Sequence, residues 1–361
     1  MSATITWQSQ SAGHFRLATS SHFLYNIFKV LPPMFNPLKL LRQTPRRPEE
    51  FIALDFGTTS TKAFIFSLKE KVELKGQGQG TPEEAIEEAT TQAGVRPSQA
   101  VVGIGGENAW CLTTTIRLNR PDPEKEIETK EIEKLNEQIF RTALMQATTQ
   151  VSQFTGDLEP SLQLIDSETL SYKLDGKIYP PTNLPTGDIG KILECSIFTA
   201  YSPTTYLNWL RENLKELKLN LWAVCSLMSV LTKALANNNP RDFNAIILDV
   251  GGQITDIAVV FGGGIWGTRP LPLGGESLAL DFWLSGVETA LQDFEGVKTF
   301  PNRIILTGGA NLSELKEGFL NYPLTRTLPF AAPPIVEVRT DVGPQSMKFI
   351  AKDILGGSDA T

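Results

Sequence analysis

Two short stretches decide the fold: residues 54–61 read LDFGTTST, and residues 248–255 read LDVGGQIT. They share the pattern L-D-x-G-x-x-x-T at an offset of 194 positions. Each follows one apolar run and precedes another, so each predicts a β-hairpin closed by a turn of small residues. A turn repeated at this distance predicts two similar lobes, each opening with the same hairpin.

Turns of this composition suit the binding of phosphate. Glycine adopts backbone conformations closed to other residues and lets main-chain N–H groups approach an anion, while hydroxyl side chains add donors. An Asp at the end of each strand would hold magnesium through its waters, and Lys62 would supply the cation for a β-phosphate. The predicted phosphate site comprises Asp55, Gly57, Thr58, Thr59, Ser60, Lys62, Asp249, Gly251, Gly252, Gln253 and Thr255, with Asp55 and Asp249 as the metal residues.

A third glycine pair lies at residues 306–310 (LTGGA), between a predicted strand and a predicted helix. Gly308, Gly309 and Ala310 would let a nucleoside lie against the backbone, where a larger side chain would block it. One glycine-rich hairpin alone would favour ordinary turn chemistry, but two matched copies and this third motif favour nucleotide binding. The pair Gly274-Gly275 is a weaker signal, because a simple loop explains it equally well.

Composition excludes several classes of enzyme. The chain has 361 residues, 41% hydrophobic and 20% charged, which is typical of a soluble globular protein large enough for two lobes. Its only histidines, His14 and His22, precede residue 51, so a fold that begins there has no histidine base or ligand. Serine-protease-type triads and zinc-hydrolase sites are thereby excluded. Three widely spaced cysteines predict reduced thiols.

Charge is divided unevenly along the chain. Residues 1–50 hold six Lys or Arg and two Glu, a formal charge of +4. Because the whole chain has a formal charge of −7, residues 51–361 carry −11. An acidic body argues against nucleic acid as a partner. In this basic, Pro- and Ser-rich extension, apolar residues at helical spacing over 23–31 predict an interfacial helix that contacts a membrane. The alternatives are a disordered leader or a true start at Met34.

The remaining pattern predicts an α/β protein. We expect helices at 82–93, 129–150, 204–217, 221–236, 312–320 and 345–355, and strands at 101–104 and 304–309. Strand-like pieces and one long helix make residues 101–200 an α+β block, distinct from the alternating pattern around it.

These motifs, in this order over residues 51–355, resemble the actin-like ATPase superfamily. Residues 54–62 resemble its phosphate-1 motif, residues 248–257 phosphate-2, and residues 306–311 the adenosine motif. Within the superfamily the chain is similar to the bacterial cell-division protein FtsA and its pilus-assembly relative PilM. The block at 101–200 sits where FtsA carries an extra subdomain, 1C, and residues 167–201 and 271–282 resemble two further FtsA segments.

The resemblance implies an actin-like (ribonuclease H-like) two-lobed α/β fold with an α+β insert of the 1C type. Lobe 1 would comprise 51–100, 201–236 and 335–355, the insert 101–200, and lobe 2 240–334, after an extension at 1–50. Only 24 residues separate Asp281 from Leu306, where the family places subdomain 2B, so that subdomain is expected to be missing.

Other departures concern catalysis and membrane attachment. The family's acid near the attacking water aligns with residues 225–230 (CSLMSV), which contain no carboxylate, and Gln253 and Ile254 replace Gly and Thr of phosphate-2. The chain ends in GGSDAT, where FtsA has an amphipathic helix.

The function implied is a nucleotide-binding scaffold for bacterial cell division at the cytoplasmic face of the membrane. It would bind ATP and Mg²⁺ weakly, hydrolyse ATP slowly or not at all, self-associate, and recruit protein partners through the insert. One alternative is a PilM-like platform for type IV pilus assembly. Another is a small-molecule (sugar) kinase, because sugar kinases share the first turn; the segment with a catalytic Asp that they require is not evident in this sequence.

Overall fold

This computed structural model describes residues 48–69, 72–181, 183–236, 242–275, 279–294 and 296–340. The predicted extension, with both histidines, Met34 and the stretch 23–31, lies outside the described residues, as does the predicted helix at 345–355. All residues of the predicted phosphate and nucleoside sites are described.

The described strands form two sheets, of five and nine strands. In chain order the elements are β1 (Glu50–Phe56), β2 (Thr61–Ser67), β3 (Glu73–Gly80), α1 (Pro82–Ala93), β4 (Gln99–Ile104), β5 (Trp110–Asn119), α2 (Thr129–Thr155), β6 (Leu162–Leu174), β7 (Lys177–Tyr179), β8 (Ile192–Pro203), α3 (Thr204–Glu216), β9 (Asn220–Ser226), α4 (Leu227–Ala236), β10 (Ala245–Val250), β11 (Thr255–Phe261), β12 (Gly264–Leu271), α5 (Leu280–Gln292), β13 (Arg303–Gly308), α6 (Leu312–Asn321) and β14 (Ile335–Val338).

The five-stranded sheet, in the order β3-β2-β1-β4-β9, forms the first lobe. The predicted hairpin is confirmed, because β1 and β2 pair in antiparallel register, and β4 and β9 continue the sheet in parallel beyond β1. Helix α1 has local signals at both ends. Thr81 and Glu84 form a capping box, Pro82 follows the cap, and Gly94 ends the helix with φ 68°.

The prediction of a helix over 221–236 is wrong in its first half. Asn220–Ser226 is strand β9, which pairs with β4, and the helix starts only at Leu227. The sequence NLWAVCS contains aromatic and β-branched residues, and a parallel neighbour is available beside it. Tertiary pairing therefore overrides the helical pattern.

The nine-stranded sheet has the order β14-β13-β10-β11-β12-β5-β8-β6-β7. Strands β10 to β14 form the sheet of the second lobe, and β5 to β8 extend it. The second predicted hairpin, β10 with β11, is confirmed. Strand β14 pairs in parallel with β13, so Ile335–Val338 belongs to the second sheet and not to lobe 1, where the sequence assigned it. Between Asp281 and Leu306 the chain completes α5 and begins β13.

We refer to β5 to β8 with α2 as the insert. Its strands follow β4 and precede β9 in the chain, as expected of a segment inserted into the first lobe. Its sheet, however, continues that of the second lobe, because β5 pairs with β12 at Leu112 and Gly267. Helix α2 packs on this extension through a core that includes Ile132, Leu135 and Ile139.

Helices pack on one face of the first sheet and on the far face of the second. One face of the first sheet shares a core with α1, α3 and α4 and with residues of β10 and β11. The far face of the second sheet packs against α5 and α6. Helix α4 contacts β9 as well as β11 and β12, and so lies between the two sheets. This packing brings the carboxyl ends of β1 and β10, and the turns that follow them, close together.

Candidate functional site

The turns at residues 57–60 and 251–254, called here the first and second turns, have the same backbone design. Gly57 donates its N–H to the carbonyl of Ser60 at 3.2 Å, and Gly251 donates to the carbonyl of Ile254 at 2.9 Å. A Cβ would lie 2.7 Å from the Ser60 oxygen at Gly57, and 2.9 Å from the Ile254 oxygen at Gly251. Only glycine fits such an approach without a shift of the backbone.

The two turns lie next to each other where the lobes meet, a place called here the cleft. The amide of Gln253 donates a hydrogen bond to the hydroxyl of Thr58 at 3.3 Å, which joins the second turn to the first. The amides of Thr58, Thr59 and Gly252 form no hydrogen bond within the described part of the chain. N–H groups from both lobes therefore lie near one another where the two turns meet. The hydroxyl of Ser60 accepts from the side chain of Gln79.

Two acids and one lysine lie at the ends of the hairpins. Asp55 stands opposite Lys62 in the register of β1 and β2, with 3.9 Å between the Lys62 nitrogen and the carboxylate. Burial raises the pKa of Asp55 to about 6, against the lowering effect of Lys62 and with a further rise from Asp249. Burial also raises the pKa of Asp249, which Lys62 opposes. Lys62 thus acts on the pKa of both acids and lies within 4 Å of Asp55, so these side chains belong to one charged site.

Asp256 is a site residue that the sequence analysis missed. It stands opposite Asp249 in the register of β10 and β11, as Lys62 stands opposite Asp55. Both of its carboxylate oxygens accept the N–H of Gly106, each at 2.8 Å. Burial, then the charge of Asp249, raises the pKa of Asp256 to about 7. The repeat itself held the signal, since Lys62 and Asp256 occupy the same place after the shared Thr.

Thr255 does not take the predicted place. It is fully buried, its hydroxyl donates to the carbonyl of Leu273 at 2.7 Å, and it accepts from the indole of Trp283 at 2.9 Å. Successive side chains of a strand point to opposite faces, so when Asp256 faces the cleft Thr255 faces the core of the second lobe. Thr255 therefore supports the hairpin and is not a phosphate donor.

The predicted nucleoside motif lies beside the second turn. Gly308 has φ 110°, and a Cβ there would lie 2.3 Å from the carbonyl of Val250. Gly309 donates its N–H to the same carbonyl at 3.1 Å, and the space where its Cβ would stand is open. The backbone at Gly309 is therefore open on the side where a Cβ would stand.

The weaker glycine pair has a definite packing role. Gly275 donates to the carbonyl of Gly251 at 2.8 Å, and a Cβ on Gly274 would lie 2.4 Å from the carbonyl of Gly252. A Cβ on Gly275 would lie 2.5 Å from that of Ala310. A simple loop does not explain these contacts, because the pair supports both the second turn and the nucleoside motif.

Two further features border the cleft. Tyr206 of α3 was not predicted; burial and then the charge of Asp55 raise the pKa of its phenol to about 12. Its ring stacks on Trp209, with 5.4 Å between centroids.

The segment 225–230 aligns with the family's acidic segment. Its Ser226 is fully buried. The hydroxyl of Ser226 lies 3.0 Å from the sulfur of Cys111 and accepts a hydrogen bond from the amide of Ser229. These serines are engaged within the protein.

The donor set fits a hard cation held through water. Carboxylate oxygens are the ligands that Mg²⁺ prefers. Asp55 lies 3.9 Å from Lys62, and Asp249 and Asp256 are register partners on neighbouring strands. Within the described ranges, no three His, Cys, Asp or Glu side chains stand close enough to hold a metal directly. All three cysteines are described and are free thiols.

Comparison with known proteins agrees with this architecture. No protein-family model matches the chain. Cell division protein FtsA of Bacillus subtilis (strain 168) is 22% identical over 269 residues, which cover 69% of this chain and 57% of that protein. The chain thus spans little more than half the length of this curated relative.

Among solved structures, the PilM-PilN type IV pilus biogenesis complex matches with a TM-score of 0.52 and 17% identity, over 88% of this chain and 100% of that chain. The cytoplasmic domain of EpsL, an inner membrane component of the type II secretion system of Vibrio cholerae, matches with a TM-score of 0.41 and 12% identity, over 86% and 99%.

The two sheets, the matched hairpins and the cleft define a protein of the actin-like ATPase fold. In sequence the chain is similar to FtsA, and in fold it is similar to the PilM-PilN complex structure. Among the described helices, none has the length and apolar character needed to cross a membrane.

Proposed function

We propose that this protein is a nucleotide-binding scaffold that assembles protein partners, with ATP held between its two turns. The observation that carries the proposal is the repeated turn: two hairpins of one design present backbone donors across a single cleft, joined by the Gln253–Thr58 hydrogen bond. Convergent N–H groups beside a lysine make a site for the phosphates of a nucleotide.

Each residue of the cleft has a proposed role. Donors from Thr58, Thr59, Ser60, Gly252 and Gln253 bind phosphate oxygens, and Lys62 neutralises the β-phosphate. Gly57 and Gly251 allow the close turns. Asp55 and Asp249 hold Mg²⁺ through its waters, and the ion supplies charge neutralisation when it is bound. Gly308, Gly309 and Ala310 receive the adenosine.

Hydrolysis is proposed to be slow or absent. Transfer of a phosphoryl group to water needs an oriented water in addition to bound phosphate and magnesium. At residues 225–230 the sequence CSLMSV offers hydroxyl and thiol groups but no carboxylate, and Ser226 is already bonded to Cys111 and Ser229. Such a site binds nucleotide as a ligand that sets a conformation.

The proposed role is cell division, in accord with the sequence likeness to FtsA over 69% of this chain. A second candidate is a type IV pilus assembly platform, favoured by the fold likeness that covers the whole PilM chain. In either role we propose that the insert contacts the protein partner. A pull-down that recovers a tubulin-like division protein supports the first role, and recovery of a pilus inner-membrane component supports the second.

We further propose that the protein works at the inner face of the cell membrane, with residues 23–31 as the membrane contact, and that it self-associates. Deletion of residues 1–33 should release the protein from vesicles rich in anionic lipid. Equal vesicle binding by both forms would remove the membrane contact from the proposal. Sedimentation of the full chain with and without nucleotide measures self-association.

Calorimetry with ATP and Mg²⁺ tests the central proposal. We expect binding by the full chain that weakens at least tenfold in Asp249→Asn, since loss of one carboxylate removes part of the magnesium site. Asp293→Asn, at an exposed acid of the same lobe, is the matched control and should bind as the unmodified chain does. No heat of binding would overturn the proposal. Rapid magnesium-dependent phosphate release, or ADP production that depends on an added sugar, would replace the scaffold with an enzyme.

A further inference from the structure

Residues 105–109, called here the root of the insert, are hydrogen-bonded to the second lobe, although the chain enters the insert from the first lobe. Strand β4 of the first sheet ends at Ile104, and Gly105 and Gly106 lead on toward β5. The N–H of Gly106 is held by both carboxylate oxygens of Asp256, from the second hairpin, at 2.8 Å. A backbone amide shared by two oxygens of one carboxylate is a charge-assisted contact.

The local sequence is built for this contact. Gly106 has φ 62°, in the left-handed region that favours glycine. A Cβ on Gly105 would lie 2.6 Å from an oxygen of Asp256, so a larger residue there would push the carboxylate away. The side chain of Ile254 lies beside Gly106 and closes the contact on its other side.

Further contacts extend the attachment along β5. The amide of Cys111 donates to the hydroxyl of Thr268 at 3.1 Å, and the hydroxyl of Thr113 donates to the carbonyl of Ile265 at 2.5 Å. Both partners lie on β12, which β5 meets at Leu112 and Gly267. The insert thus forms a continuous sheet with the lobe that carries the second turn.

We infer that Asp256 is a positioning residue that fastens the root of the insert to the second lobe and makes that attachment respond to what occupies the cleft. Asp256, which accepts the N–H of Gly106, is the direct cross-strand partner of Asp249, the residue proposed for magnesium. A cation near Asp249 attracts the neighbouring carboxylate and competes with Gly106 for it. The response to nucleotide rests on the proposed function, whereas the attachment does not.

Hydrogen exchange on the full chain tests the attachment without any nucleotide. Asp256→Ala should speed exchange of the amides from Gly105 to Ala109 about tenfold and loosen β5, while α1 in the first lobe keeps its protection. Asp256→Asn keeps an acceptor oxygen and should restore most of the protection. Asp157→Ala, which removes another carboxylate bonded to a backbone amide, is the control and should leave the root unchanged. Equal exchange in Asp256→Ala and the unmodified chain would overturn the inference.

Repeating the exchange with ATP and Mg²⁺ tests the response. In the unmodified chain the root amides should exchange at least threefold faster with nucleotide, and in Asp256→Ala nucleotide should have no effect there. Calorimetry on the same samples separates the two proposals. Bound nucleotide with unchanged or slower exchange at the root overturns the response and leaves the nucleotide site intact. Absence of binding overturns the proposed function, and the comparison of variants without nucleotide still decides the attachment.

Discussion

The amide of Gln253 donates to the hydroxyl of Thr58 at 3.3 Å, so the two lobes are hydrogen-bonded to each other at the place proposed for phosphate. In the free protein this bond satisfies a donor that would otherwise face solvent in the cleft. A phosphate oxygen accepts from the same amide, so a bound nucleotide replaces the Thr58 hydroxyl as its partner.

Replacement of Thr58 by valine should expose that exchange of partners. Without the hydroxyl, the Gln253 amide loses its acceptor, and we expect it to exchange with solvent about five to ten times faster in the free protein. With ATP bound, phosphate becomes the acceptor and the difference between variant and unmodified chain should vanish. Thr59→Val is the control, because no hydrogen bond joins Thr59 to the second turn among the described residues. An equal effect of both substitutions would contradict the prediction.

Gly308 and Gly309 should respond oppositely to alanine, although they are neighbours. At Gly308 the left-handed backbone and the 2.3 Å approach to Val250 should make alanine cost about 2 to 4 kcal/mol of the free energy of unfolding. At Gly309 a methyl group meets open space, so stability should change by less than about 0.5 kcal/mol. Urea unfolding measures both.

The same pair separates stability from binding. If a nucleoside lies on the open backbone at Gly309, the alanine methyl group should weaken ATP affinity at least threefold in calorimetry while the fold is unaffected. Tripolyphosphate, which has no nucleoside, should bind Gly309→Ala and the unmodified chain equally. A Gly309→Ala variant with full ATP affinity would remove Gly309 from the nucleoside site.

Local patterns in the sequence predict the two hairpins, because an apolar run, a small-residue turn and a second apolar run are all short-range features. The repeat of residues 54–61 at 248–255 adds the inference that both turns serve one site. Pairings between distant segments are not predictable in this way. The sequence of β9 fits a helical pattern, and only its pairing with β4 makes it a strand. The sequence of β14 likewise does not say which sheet it joins, and the structure pairs it with β13.

The face of a strand is similarly decided by tertiary structure. Alternation shows that Thr255 and Asp256 point to opposite sides, but the sequence favours the hydroxyl residue as the phosphate donor. The structure reverses this choice, because Trp283 of α5 packs under the hairpin and needs an acceptor for its indole N–H. The position of a helix that follows later in the chain thus decides which residue reaches the cleft.

Thr255→Val should therefore act on stability and not on binding. Valine has nearly the same shape but leaves the indole of Trp283 and the carbonyl of Leu273 without a partner in a buried place. We expect a loss of about 1 to 3 kcal/mol in the free energy of unfolding. ATP affinity, measured well below the melting temperature, should be unchanged within twofold. A large loss of affinity with full stability would return Thr255 to the phosphate site.

The acids of the cleft should make the free protein less stable as pH rises. Burial raises the pKa of Asp55 to about 6 and that of Asp256 to about 7, whereas an unfolded Asp titrates near about 3.9. Between pH 4 and pH 7 the folded state thus holds more protons than the unfolded state, and the free energy of unfolding falls with rising pH. This contribution is complete below pH 4 and is lost through pH 7.

Asp256→Asn isolates one of these groups. The amide is neutral at every pH and retains an oxygen to accept the Gly106 N–H, so it removes the titration and keeps the contact. In urea unfolding with a chelator present, the variant should match the unmodified chain at pH 4 and exceed its stability at pH 8. Because Mg²⁺ favours ionised carboxylates, added Mg²⁺ should stabilise the unmodified chain more than the variant at pH 8. If the variant were the less stable of the two at pH 8, Asp256 would be an ionised structural acid whose charge the fold requires.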